Sequence, residues 1–150
     1  MSTTPEAKAP TPAAGWSAAE RKYISSAVFA HWSPALGKAA STCKAALARD
    51  PLVMLDTLLV ISADGTPTLR AGMVEGEATT CVLRQIYKPR YAPPLKPDFE
   101  VPISLTFGNT PHARCATLQK PNLTSCVHCA FVPDARRAIC DVYIRDLRNR

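Results

Sequence analysis

Glycine and aromatic residues are scarce in this chain, with 6 glycines in 150 residues and only 7% Phe, Trp and Tyr. No Gly-rich phosphate loop, HExxH or nucleophile elbow occurs, which removes the usual signatures of nucleotide, zinc-protease and hydrolase chemistry. Histidine is limited to 3 residues, so a His-based catalyst has few options. No apolar run approaches the roughly 18 residues that a membrane helix needs, and integral membrane insertion is not expected. The opening MSTTPEAKAPTPAAG lacks an apolar stretch behind a basic one, unlike a secretory signal. If Met1 is the true start, the expected location is the cytoplasm or a cell-derived particle; a truncated start would point to the periplasm.

The chain does have enough apolar material for a core. Apolar residues make up 47% and charged residues 20%, which excludes a wholly disordered chain. A monomer of this size buries roughly 68–70% of its extended surface. The net charge of +6 is uneven. Residues 76–150 carry 11 basic and 6 acidic side chains, most of that excess lying beyond residue 109. An acidic partner surface would therefore be drawn to the C-terminal part. The basic residues are scattered among Asp134, Asp141 and Asp146, so nucleic-acid binding is an alternative that the pattern does not favour.

Residues 1–15 read as a flexible, Pro- and Ala-rich leader. Ser17 and Glu20 then form a capping-box pair, and Tyr23, Ile24, Val28 and Trp32 follow at helical spacing. Pro34 should end or reset that helix, with a second one over 35–49. LVMLDTLLVI, at 52–61, reads as a strand with Asp56 on its other face or at an edge. Asp64-Gly65 is a hairpin signal, and a strand over 67–74 follows. Residues 77–88 read as a helix, and Pro89 stops it. After a proline-rich connection, Val101, Ile103, Leu105 and Phe107 alternate as a third strand. The order suits an α+β domain, a small antiparallel sheet packed against helices, over residues 16–108. Residues 109–130 read as a cysteine-tied loop and 135–148 as a terminal helix, so 109–150 forms a cysteine-rich extension.

Residues Trp16 to Phe107 resemble the TonB C-terminal-like domain of the AgmX/PglI group. The resemblance rests on an ordered series. An amphipathic helix ends in Trp32, and LDTLLVISADGTPTLRAGMV supplies strand, turn and strand. A helix carrying Cys81-Val82, the extended Tyr91-Ala92-Pro93-Pro94 and a strand ending in Phe107 complete it. It implies a TonB-C-like fold and a protein-interaction domain without catalytic residues. It also implies that Cys43 and Cys81 could pair; two buried free thiols are the other reading. The chain departs from the family pattern in its short leader, its lack of an N-terminal anchor and its extra cysteine-bearing tail.

That tail holds Cys115, Cys126, Cys129 and Cys140. Cys126-Val-His-Cys129 is a knuckle that could give zinc two thiolates, with Cys115 and Cys140 completing a tetrahedron and His112 or His128 as alternates. One structural zinc and two disulfides both remain open, the disulfides pairing Cys115 with one inner cysteine and Cys140 with the other. Reactive thiols are a further alternative, but no strand-to-helix setting for a redox Cys-x-x-Cys precedes Cys126. The expected function is a non-catalytic interaction or assembly component, in a complex or a homo-oligomer. The alternatives are a zinc-containing nucleic-acid-binding module and, less favoured, a thiol redox protein.

Overall fold

The computed structural model describes residues 15–50, 52–72, 75–109, 124–145 and 147. Residues 1–14 of the leader, Cys115, His112 and most of the 109–130 segment lie outside these.

Helix α1, Ala18–Tyr23, starts at the Ser17 cap. The Ser17 hydroxyl accepts from Glu20 N at 3.1 Å, and Glu20 accepts from Ser17 N at 2.8 Å. Both orphan donors are thus satisfied. The chain continues through a π-helical stretch, Ile24–Phe29, into α2, Ala30–Thr42, and then α3, Lys44–Arg49. Pro34 does not end the helix; it lies exposed within α2. Its missing N–H removes one helical bond. Burial on either side offsets that loss, because Trp32 and Leu36 are both fully buried. The wide π turn just before α2 already interrupts the regular ladder.

Strands β1, Met54–Ile61, and β2, Pro67–Ala71, form an antiparallel hairpin. In its turn, Asp64 accepts from the Ser62 hydroxyl and from Thr66 N, which hold its carboxyl down at about 2. Gly65 is required there. Its φ is +92°, and a Cβ would lie 2.0 Å from the Tyr91 carbonyl oxygen. Helix α4, Glu77–Ile86, follows, and β3, Phe99–Gly108, pairs antiparallel with β1.

The last part of the fold differs from the sequence expectation. Residues 138–144 form a strand, not a helix, and 125–131 form another strand within the segment read as a loop. These are β4, Ser125–Phe131, and β5, Ala138–Ile144. The five strands run in the order β2-β1-β3-β5-β4. β5 lies parallel to β3 while every other neighbour is antiparallel, so the sheet is mixed rather than purely antiparallel. The architecture is a small α+β domain with this sheet packed against several helices. The β5 burial pattern shows why: Ala138, Cys140, Val142 and Ile144 are buried and the residues between them are not. That is the period of two of a strand covered on one face.

Among the described residues, the helices pack on one face of the sheet. Leu55, Leu59 and Ile61 from β1, Phe99 to Phe107 at alternate positions of β3, and the buried β5 residues join the helices in a single core. Trp32 donates its indole N–H to the Tyr91 hydroxyl at 2.9 Å, and burial pushes the Tyr91 phenol up. Tyr23 donates to the Ala92 carbonyl at 2.6 Å, and burial raises its phenol to about 12.

Candidate functional site

The side chains singled out by chemistry fall in three places. At the helical layer, Cys43 at the α2–α3 junction and Cys81 on α4 are joined by a disulfide, with Cα atoms 5.8 Å apart. Beside it, an open groove of about 890 Å³ runs between α3 and α4, lined by Ala45, Ala46, Thr80, Cys81 and Leu83. The Arg49–Glu77 ion pair at 2.7 Å ties α3 to α4 at the groove rim. Residues at the N-terminus of α4, Gly76 and Glu77, also line this groove. Gly76, at φ +143°, packs so tightly on Asp50 that a Cβ would sit 2.0 Å from its carboxylate oxygen.

The second place is the β4–β5 hairpin. Cys129 and Cys140 face each other in register, with Cα atoms 4.0 Å apart, and are cross-linked. This close spacing marks the non-hydrogen-bonded kind of antiparallel pair. The Arg145 N to Thr124 O and Val132 N to Arg137 O bonds agree, placing the hydrogen-bonded pairs at even-numbered β4 residues. The backbone groups of Ser125, Val127, Cys129 and Phe131 therefore point away from β5, toward the outer side of the sheet. The Ser33 hydroxyl on α2 donates to Cys129 Sγ at 3.6 Å, and Phe29 packs on Phe131 at 5.1 Å between ring centroids.

The zinc expectation is overturned here. Cys126 and Cys129 lie three positions apart in a strand, so their side chains leave opposite faces of the sheet. Cys129 and Cys140 are bonded to each other, and Cys126 is also held in a disulfide. Disulfide sulfurs offer no thiolate to a metal. Among the described residues, no group of three or more His, Cys, Asp or Glu could hold a metal ion. Cys115 and the alternate His112 lie outside the described residues; the other alternate, His128, stands half-buried on the face away from the helices, opposite Asp141 in register. A structural zinc on Cys115, Cys126, Cys129 and Cys140 is withdrawn, and disulfides are the chemistry of this hairpin.

The third place joins residues that lie far apart in the sequence. Arg136, in the β4–β5 turn, makes a two-pronged ion pair with Glu20, both contacts at 2.8 Å, and stacks over Trp16 at 4.4 Å. Trp16 in turn donates its indole N–H to the Arg137 carbonyl at 3.2 Å. The Arg136 hydrogen bonds hold the Glu20 carboxyl down at about 2 despite its burial. One glutamate thus caps α1 and clamps the hairpin across 116 residues of chain. On the face away from the helices, the Arg137 guanidinium donates to the Ser104 hydroxyl at 3.1 Å, and Ser104 donates to Asp56 at 2.7 Å. Thr106 donates to Asp141 nearby. These bonds stitch β1, β3 and β5 together. The sequence signals were Glu20 in the capping box and Asp56 away from the core face; nothing local identified Arg136 as the partner of Glu20, or Ser104 and Arg137 as the chain that leads to Asp56.

No family model, curated protein or solved structure matches this chain. Among the described residues, no helix is long and apolar enough to cross a membrane.

Proposed function

We propose that this chain is a non-catalytic protein-interaction or assembly component that receives an extended segment of a partner protein along β4. The supporting observation is the character of that edge, which has no strand on its outer side among the described residues. Sheet edges that must stay unpaired are usually blunted with charge, proline or short length. β2 follows that pattern, with five residues, Pro67 at its start and an exposed Arg70. β4 does not: its seven residues, SCVHCAF, include no proline and no Lys, Arg, Asp or Glu. Backbone donors and acceptors at alternate β4 residues can pair with an added strand, which is a common mode of peptide recognition.

The resemblance of residues 16–107 to TonB C-terminal-like domains supports the same reading, since it implies an interaction module without catalytic residues. The hairpin lies outside the resembling segment and extends its sheet by two strands. Disulfides persist mainly in oxidising compartments, which favours the periplasmic alternative for location. Native mass measurement and cross-linking in source-cell extract test the reading. We expect retained partner mass, and its loss in Ser125→Pro, which removes an outward N–H at the first residue of β4, where proline is best tolerated. A strict monomer, or binding unchanged in that variant, sinks the edge-pairing proposal.

A further inference from the structure

We propose that this chain associates head to tail with further copies of itself, the proline-fixed loop 92–98 of one copy entering the α3–α4 groove of the next. The inference uses neither β4 nor a foreign partner, so it goes beyond the reading above.

The loop is stiff and exposed. Tyr91 and Phe99, both buried, anchor its ends, and Tyr91 N also bonds the Gly65 carbonyl at 2.8 Å. Between these anchors Pro93, Pro94 and Pro97 each fix a backbone angle. Every residue from 92 to 98 except Pro94 is exposed, and the backbone bends at Leu95 and Lys96. Leu95 is 55% exposed there, an apolar side chain held out on a stiff segment. A loop already ordered loses little freedom on binding.

The groove complements that loop in polarity and charge. Ala45, Ala46 and Leu83 give it an apolar lining, and its volume of about 890 Å³ has room for Leu95 and the prolines beside it. At its rim Arg49 and Glu77 neutralise each other, which leaves Glu75 and Arg84 as one acid and one base. The loop carries Lys96 and Asp98, again one base and one acid. None of these four side chains has an ion-pair partner among the described residues. Docking sets Lys96 against Glu75 and Asp98 against Arg84, and charge matching of this kind fixes register more than it adds affinity.

Loop and groove lie apart in one molecule. Helix α4 starts at the groove with Glu77 and ends at Ile86, and its 10 residues span about 15 Å before the chain leads on to the loop. The loop then enters β3 at Phe99, opposite Ile61, whereas the groove includes Ala71, opposite Thr57. The groove that takes the loop therefore belongs to another copy. A contact between unlike surfaces repeats from copy to copy, forming a ring if the rotation closes and a filament if it does not.

Sedimentation velocity on the intact chain, from roughly 10 µM to 1 mM to suit a small interface, tests this. We expect the average mass to rise with concentration. Leu95→Asp in the loop and Ala45→Arg, at an exposed position in the groove, should each weaken association at least about tenfold, since each strikes the centre of the contact. Mixed together, these two variants should form a pair of one copy each and stop, because only one intact loop meets one intact groove. A misfolded variant would not complement in this way. Lys96→Glu and Glu75→Lys should each weaken association alone, and the double variant should regain it. A chain that stays monomeric throughout the range overturns the proposal. So does association that survives Leu95→Asp, a pair of variants that fails to complement, or a double variant no better than the single ones. Self-association lost in Ser125→Pro but kept in Leu95→Asp would place the copies edge to edge on β4, sinking this contact while sparing the strand-pairing reading.

Discussion

Two parts of one sheet are held by different forces. Between the helices and strands β1 and β3, stability comes from burial: Trp32, Phe99, Leu36, Leu55 and Ile103 are all essentially inaccessible to water. Full burial of such side chains contributes roughly 1.5–3 kcal/mol each. At the β4–β5 hairpin, one strand is buried at alternate positions and the other is half-buried throughout. There the chain relies on disulfides and on the Glu20–Arg136–Trp16 clamp. Helix α2 does reach β4, through Phe29 on Phe131 and Ser33 on Cys129, but the strand stays half-buried, and covalent and charged ties add to that contact. The helical layer should therefore respond to lost volume, and the hairpin to lost ties.

The largest expected effect is in the first region. Trp32→Ala removes a fully buried indole and leaves the Tyr91 hydroxyl without its donor. It should destabilise the whole domain by about 3–5 kcal/mol, read as a lower urea midpoint with both regions unfolding together. A hairpin that stayed folded in this variant would show that it is stable by itself and would break the comparison. The second effect is in the hairpin. Replacing both Cys129 and Cys140 by alanine opens a link with a sequence separation of 11 and should cost about 2–3 kcal/mol by the chain-entropy estimate. Hydrogen exchange should quicken mainly over β4. Equal acceleration in α2 would mean that the bond supports the core as well.

The smallest effect sharpens the role of the clamp. The Glu20 carboxyl is lowered from 4.5 to about 2 in the folded chain, chiefly by its hydrogen bonds from Arg136. A depressed folded value means the contribution is complete above pH 4.5 and is lost as the pH falls through that range toward 2. It should amount to about 2 kcal/mol once the partly exposed Arg136 guanidinium is allowed for. Glu20→Gln should remove this part of the acid sensitivity, measured as thermal midpoint against pH between 2 and 6. A variant with the same acid profile as the native chain would show that the clamp adds nothing to stability.

What was legible in the sequence was chemistry closed over a few residues. The capping box at Ser17 and Glu20, the Asp64-Gly65 turn, helix α4 and the alternation ending in Phe107 depend on neighbours in the chain, and each forms close to its expected bounds. Pro34 departs from its local rule because its cost is outweighed by the distant partners of Trp32 and Leu36. The Cys43–Cys81 pairing was suggested by a family resemblance, and no spacing rule singled it out.

The C-terminal part belongs to the other class. Ala138, Ile139 and Val142 can be placed on a helical stripe, while Ala138, Cys140, Val142 and Ile144 suit a strand equally well. Only the hydrogen bonds offered by β3 on one side and β4 on the other decide between them. The same choice settled the metal question, since a strand turns the two cysteines of a C-x2-C motif to opposite faces where a tight knuckle would bring them together. The sequence by itself determined the local elements, the apolar content and the sulfur supply. Tertiary structure decided the sheet order, the cysteine partners and the Glu20–Arg136 clamp, because backbone pairing and ion pairing between residues far apart in the chain leave no periodic trace along it.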